Sequence, residues 1–459
     1  MTHHDLLFPV EFQVRELDAR LVLAAAALRR GERRVFLGTD PYLEQVVATL
    51  ENGVYIGKSI RPYFTSNVTH YAKLKRANIR LLHLDEEGAV YMGGEHEWRQ
   101  QLQARLDVTK LGPKDFVCAW GRFQASVFHE LAHAAGPQVT PTGHPRLDLP
   151  KESYRALYAE EVADLRSRYG SDFVLVNGNY PRANHGLGID YVFSEYYNYR
   201  ASEADKRLQF VGRWAHFTSL FASMVEATHH LAAAFPRRTI VYRPHPSEAL
   251  ATYRATFRGV PNIEVSCEGP ANPWLLAAGA VVHNGCTTAI EAHLAGTPVI
   301  SFAPREDPRY DKFLPNAFGR RAGSLKELVA CAETALDCNT PAATTVPERA
   351  AKLIANVETS SVERITALLD EAVDALPGSA LDERALQARV AVMDGVERAK
   401  RLVRPFSPTR KAQNRRTRTK FPGLEAAELG ERLARVERVL GVRVRAHLYN
   451  DQLARLELA

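Results

Sequence analysis

The sequence predicts an α/β protein built of two parallel-sheet domains in tandem. Strand-like and helix-like segments alternate through the first 340 residues, the pattern of parallel sheets joined by crossovers. Residues 279–304, GAVVHNGCTTAIEAHLAGTPVISFAP, show one such unit in miniature. An apolar run (Val281, Val282) ends in a small-residue turn, a helix opens on Thr287-Thr288 and breaks at Gly296, and a second apolar strand follows at 298–302. The chain's 459 residues, 46% hydrophobic and 24% charged, are enough for two or three soluble domains with their own cores.

In order along the chain, strands are expected at 34–37, 54–57, 79–84, 116–120 and 138–142, then at 173–177, 239–242, 263–266, 280–283 and 299–302. Helical spacing fills 40–50 and 98–106, and the alanine-rich stretch Leu21 to Leu28 reads as a helix. Charged residues crowd the stretch 150–170, which places a boundary there. The reading is therefore a first Rossmann-like domain over 1–165 and a second over 166–340. Helices packing back on the sheets are expected over 341–397, a basic linker over 398–422, and an amphipathic terminal helix over 423–459 through Leu424, Leu429, Leu433, Val436, Leu440 and Val444. Two facing Rossmann-like domains with a cleft form the GT-B architecture, with a sugar nucleotide on the second domain and an acceptor on the first.

Composition narrows the function. No apolar run approaches the roughly 20 residues that span a bilayer, and the N-terminus lacks the basic-then-apolar start of a secretory signal. Five scattered cysteines without a CxxC point to reduced thiols and a cytoplasmic setting, with neither a disulfide framework nor a zinc ribbon. The net charge of +6 is uneven: ten basic and no acidic residues lie between 398 and 420, leaving the rest of the chain at −4. Bracketed by Pro405, Pro408 and Pro422, that segment reads as a flexible linker. Its functional reading is attraction to an anionic membrane surface, and no aromatic interleaving supports nucleic acid.

The candidate chemistry lies at strand ends, where ligands of open α/β sheets bind. The strand at 239–242 ends in Arg243-Pro244-His245-Pro246, and the next but one ends in His283-Asn284-Gly285-Cys286-Thr287-Thr288. The latter turn offers backbone N–H groups, two hydroxyls and a positive helix end to one phosphate. Glu291, one helical turn after Thr287, is placed to accept hydrogen bonds from a ribose. In the first half, a strand ends in Asp85-Glu86-Glu87-Gly88. Crowded like charges there are expected to raise one pKa, which suits a general base.

In their order along the chain, Glu86-Glu87-Gly88 (or Asp85-Glu86), His245-Pro246 and Thr287-Thr288 resemble bacterial sialyltransferases and related GT-B transferases of CMP-activated ulosonic acids. With WGRFQ (120–124), TGHPRLDL (142–149) and VNGNY (176–180), the chain also looks like the bacterial surface carbohydrate biosynthesis proteins over about residues 30–320. The resemblance implies a metal-independent glycosyltransferase without a cofactor, moving a Kdo- or sialic-type sugar from a CMP-sugar to a glycan or glycolipid. Glu86 or a neighbouring acid would be the base, and His245 would hold the departing phosphate. Thr287 and Thr288 would bind that phosphate, and Arg243 would add charge. Thr-Thr replaces the commoner serine-containing pair, and the extra acid leaves the base open.

Several other readings compete. A CDP-glycerol glycerophosphotransferase and a sugar-nucleotide epimerase share the fold, and a non-catalytic membrane-bound scaffold differs in class. His129-Glu130-Leu131-Ala132-His133 matches the HExxH zinc-protease pattern, yet it sits where a crossover helix is expected and lacks an evident third ligand.

Overall fold

A computed structural model describes residues 3–58, 65–337, 346–357, 359–403 and 420–459. The chain forms two units. One comprises 1–89, 99–149 and 352–459, the other 90–98 and 150–351. In chain order the strands are β1 (His4–Pro9), β2 (Arg33–Gly38), β3 (Gly53–Gly57), β4 (Ile79–Leu84), β5 (Phe116–Ala119), β6 (Gln138–Pro141), β7 (Val174–Asn177), β8 (Ile240–Arg243), β9 (Ile263–Val265), β10 (Ala280–His283), β11 (Val299–Phe302), β12 (Arg320–Ala322), β13 (Val444–Asn450) and β14 (Leu453–Leu458).

The second unit holds a parallel six-stranded sheet in the order β12-β11-β10-β7-β8-β9. Its strands are short apolar runs because helices cover both faces. Alternate side chains divide between two cores. Val174, Val176, Ile240, Tyr242, Ala280 and Val282 pack with Leu220, Met224, Ala227 and Leu231 of the long helix Ala204–Ala234. Phe173, Leu175, Val241, Val281 and Val299 pack with Leu165, Trp274, Ala289 and Ala292.

The first unit's eight-stranded sheet runs β13-β14-β2-β1-β3-β4-β5-β6. β1 to β6 are parallel, and the terminal hairpin adds antiparallel to β2. The helix Gln13–Leu28 is buried on almost every side, as its alanine content allows, between helices Ser361–Asp374 and Ala426–Leu440.

All ten expected strands are present, and β1, β12 and the terminal hairpin add to them. The helix expected over 423–459 is corrected. It stops at Leu440, because Gly441 takes the left-handed conformation (φ 66°) that ends helices, and the chain then turns into β13 and β14. Of the expected 341–397 helices, Ser361–Asp374 returns to the first unit, and Glu383–Val403 follows it. The basic segment 398–420 lies outside the described residues except at its ends, where Lys420 pairs with Glu11 and sits 4.2 Å from the centre of the Phe12 ring. Among the described residues no helix is long and apolar enough to cross a membrane.

Gly121 marks where the returning chain meets the first sheet: a β-carbon there would lie 2.4 Å from the Leu353 carbonyl carbon and 2.6 Å from the Lys352 oxygen. Both neighbours are backbone and cannot swing away. Gly121→Ala should therefore destabilise the first unit by about 1–3 kcal/mol, read as a lower urea midpoint. An unchanged midpoint would show that the 352–356 segment does not dock here.

Candidate functional site

In the second unit, the carboxyl ends of β7, β8 and β10 lie side by side, with Asn177 in register with Arg243 and His283. β7 lies between the other two, so their ends are about 10 Å apart, two strand spacings. The loop after β7, Asn177-Gly178-Asn179-Tyr180, ties both neighbours to itself. Asn177 Nδ2 donates to Thr288 Oγ1 at 2.9 Å, and Asn179 Nδ2 donates to the Gly285 carbonyl at 2.9 Å. On the other side, Glu248 Oε1 accepts from the Tyr180 N–H at 3.0 Å and from the His245 N–H at 2.9 Å, while Tyr253 donates its hydroxyl to Oε2.

The turn after β10 leads into the helix Thr288–Ala295. Gly285 takes φ 59°, and its N–H donates to Asn316 Oδ1 at 2.6 Å. Asn284, buried, spends its amide on the Phe302 carbonyl at 2.8 Å. The backbone N–H groups of Cys286 and Thr287 make no hydrogen bond among the described residues, while the Thr288 N–H is turned toward the Cys286 sulfur. They stand at the head of the helix Thr288–Ala295, where the helix dipole favours an anion. Thr287 is half-buried with no capping bond, whereas the Thr288 hydroxyl accepts from Asn177 and donates to Cys286 Sγ at 3.0 Å. Lys312 lies against the turn: a β-carbon on Gly285 would stand 3.6 Å from its Cδ.

His245 is half-buried between exposed Pro246 and buried Pro244. Its Nδ1 accepts from the Ser247 N–H at 3.1 Å, which places the neutral ring's proton on Nε2. Arg243 has a different role from the one expected. Its guanidinium donates to the Glu268 and Gly269 carbonyls at 2.8 and 2.6 Å and lies over the Trp274 ring, and burial lowers its pKa to about 10. Glu291 is buried, and its charge is felt by the Cys286 thiol, so the sugar contact expected of it has no exposed carboxylate.

In the first unit the acid triplet is not a repulsive cluster. Burial alone would raise Glu86, but His144, Arg20 and Arg15 hold it well below the ordinary carboxylate range. Its oxygens lie 3.2 Å from Arg20 Nη2 and 3.2 Å from His144 Nε2. Asp85 is likewise lowered, against burial, by Arg105 and His83. Glu87 is half-exposed and reaches Arg15 at 3.1 Å and Arg105 at 3.5 Å. The raised pKa expected within the triplet belongs instead to Glu16, which burial and then Glu86 push up against the pull of Lys58 and Arg15.

WGRFQ and TGHPRLDL build this cluster. Trp120 Nε1 donates to the Asp85 carbonyl at 2.6 Å, and Gln124 donates to the carbonyls of Gly88 and Leu353. The His144 ring lies 5.2 Å from that of Trp120, tilted by 40°, with its backbone clasped by Asn356, which also donates to Asp148.

The HExxH reading is overturned. The helix Arg122–Leu131 ends before His133, Glu130 is exposed and paired with Arg99 at 2.6 Å, and no group of three metal-ligating side chains occurs among the described residues.

Sequence reasoning missed Asn177, Asn179, Glu248, Lys312 and Asn316 here and Glu16 in the first unit. VNGNY carried the only local signal, two asparagines around a glycine at a strand end.

No family model matches the chain, and no curated protein matches its sequence. Solved structures resemble it in architecture. The UDP-GlcNAc 2-epimerase of Methanocaldococcus jannaschii is 11% identical over 81% of this chain and 100% of its own, with a TM-score of 0.48. The Neisseria meningitidis enzyme of that name, bound to UDP-GlcNAc, is 12% identical over 80% and 100%, at 0.47. The wall teichoic acid polymerase TagF is 9% identical over 81% and 89%, at 0.47.

Two outcomes are expected. Glu86→Ala leaves Arg20 and His144 buried and unpaired, and should cost about 3–5 kcal/mol in urea unfolding; a near-neutral effect would refute the buried ion cluster. Burial raises Glu248 to about 7 from its ordinary 4.5. Its stabilising contribution is therefore full below about 4.5 and is lost as pH rises to about 7, because the folded state holds the extra proton across that window. His283, lowered to about 3 by burial, acts in the opposite direction. The comparison to make is thus wild type against Glu248→Gln, whose thermal midpoints should converge or cross as pH rises from 5 to 8; a pH-independent difference would contradict the shift.

Proposed function

We propose that this chain is a GT-B-type enzyme acting on a nucleotide-activated sugar, whose donor phosphate is held at the carboxyl edge of the second unit's sheet. The observation that supports this most is the pair of open N–H groups at Cys286 and Thr287, beside Lys312 and two strands from His245 Nε2. Such donors are fixed before the ligand arrives. They stabilise a departing phosphate, whose negative charge grows in the transition state, more than they stabilise the bound donor. His245 donates from Nε2 to a phosphate oxygen, and the Thr287 hydroxyl adds a further donor.

The finer reading is transfer of a 3-deoxy-ulosonic acid from its CMP-sugar to a hydroxyl of a surface glycan or glycolipid. In the first unit, Glu87 is the acid of the triplet with an exposed carboxylate, and it takes the base's role in place of buried Glu86. Arg15 and Arg105 hold Glu87 in position. The basic stretch 398–420 would keep the enzyme on the cytoplasmic face of an anionic membrane, where a glycolipid acceptor lies.

The test is a nucleotide panel read by calorimetry, followed by turnover. CMP should bind more tightly than UDP or GDP. His245→Ala and Glu87→Gln should each lower transfer at least 100-fold, with His245→Ala also weakening CMP and Glu87→Gln leaving CMP binding intact. Preference for UDP with epimerised product, or turnover of CDP-glycerol, would replace the CMP-sugar reading. Undiminished transfer in both variants would remove the assignment.

A further inference from the structure

Two arginines of the second unit are drawn inward, and among the described residues no acid meets them. Arg182 follows the β7 loop, and Arg213 lies on the long helix Ala204–Ala234. The Arg182 guanidinium carbon is 4.6 Å from the centre of the Phe210 ring and 5.1 Å from that of Tyr197, and the Arg213 carbon is 6.0 Å from that of Phe217. Rings that cover the faces of a guanidinium leave its N–H edge for an acceptor in the plane.

That acceptor is missing among the described residues. Arg182 Nη1 and Arg213 Nε are buried with no hydrogen-bond partner, and neither side chain enters an ion pair. Trp214 Nε1 and Thr218 Oγ1, one turn apart on the same helix, are also buried donors without a partner. Trp214 belongs to the same aromatic group, through Phe193 to Phe210, with ring centres 5.4 and 5.6 Å apart. Burial and then Arg182 lower Arg213 to about 10, and burial lowers Arg182; the groups pulling the other way are tyrosines, not carboxylates. The neighbouring His216 shows the contrast, since Asp311 meets it at 3.0 Å.

Two adjacent, partly desolvated cations repel each other, and ring faces alone compensate them, an arrangement a fold sustains where an anion completes the group. Both side chains are only half-buried, so the pair is reachable from solvent. Its location is also telling. The Tyr310 hydroxyl approaches Gly212, where a β-carbon would lie 2.6 Å away, and Lys312, two residues on, lies against the Gly285 turn. The pair thus borders the segment that lines the phosphate cradle.

We propose that Arg182 and Arg213 form an oxyanion subsite that receives a phosphate or a carboxylate along their guanidinium edges. It needs only the anion and does not depend on which nucleotide the Gly285–Thr288 turn takes. In a sugar-acid donor the carboxylate is the natural occupant; in a phosphorylated ligand it is a phosphate.

The experiment follows the indole N–H signal of Trp214 in the full chain, assigned with Trp214→Phe, at constant ionic strength. Inorganic phosphate and free N-acetylneuraminic acid are titrated separately, with chloride as the control. A saturable shift with either probe, weakened at least tenfold in Arg182→Gln and in Arg213→Gln, is the expected result, and the stronger probe identifies the anion. Without anion, both variants should melt at or above the wild-type temperature, because each removes an unpaired charge. No saturable shift, equal affinity in the variants, or a lower melting temperature without anion would overturn the subsite. His245→Ala separates the two readings: it should weaken CMP while leaving the Trp214 response intact, and loss of that response together with CMP would place both ligands at one site and overturn the separate subsite.

Discussion

One buried carboxylate organises the second unit's strand ends. Glu248 collects the N–H of Tyr180, the N–H of His245 and the hydroxyl of Tyr253. It thereby fixes the exits of β7 and β8 against each other, adding to the backbone bond from the Gly178 N–H to the Arg243 carbonyl at 2.8 Å. Burying a carboxylate is costly, and three donors are what make it tolerable. The consequence reaches further, because Asn177 and Asn179 on the same β7 exit hold the Thr288 hydroxyl and the Gly285 carbonyl. The imidazole of His245 and the open N–H groups of the β10 turn are thus held to a common frame before any ligand is present.

The first unit solves a different problem in the same way. Its strand-end acids are met by arginines and a histidine brought from the helix Gln13–Leu28 and from the 144–146 segment. Trp120 and Asn356 hold that arrangement from behind through backbone carbonyls and amides. In both units the polar groups at the sheet's carboxyl edge are oriented by second partners, which is what preorganisation requires.

Much of the architecture was legible in the sequence, because short β-branched runs between turn residues are strands for a reason that is local. The exceptions have physical causes. The terminal hairpin was read as helix because apolar residues continue near helical spacing through Val444, although Gly441 already marked the stop. β1 was missed as a brief run at the chain's start, and only its pairing with β2 and β3 makes it a strand. At the site, the turn and the His-Pro strand end were visible. The state of the acids was not, since Arg20 lies 66 residues from Glu86, and Arg15 72 from Glu87. Arg243 was misjudged for the same reason: nothing near it in sequence reveals that the 268–269 carbonyls take its guanidinium.

The most direct test of the central claim is hydrogen exchange at the amides of Cys286 and Thr287, with and without CMP. The account predicts that these two amides, which have no acceptor among the described residues, exchange quickly in the free chain and become protected when the nucleotide phosphate occupies the turn. Protection that appears elsewhere while these two stay unchanged would contradict it.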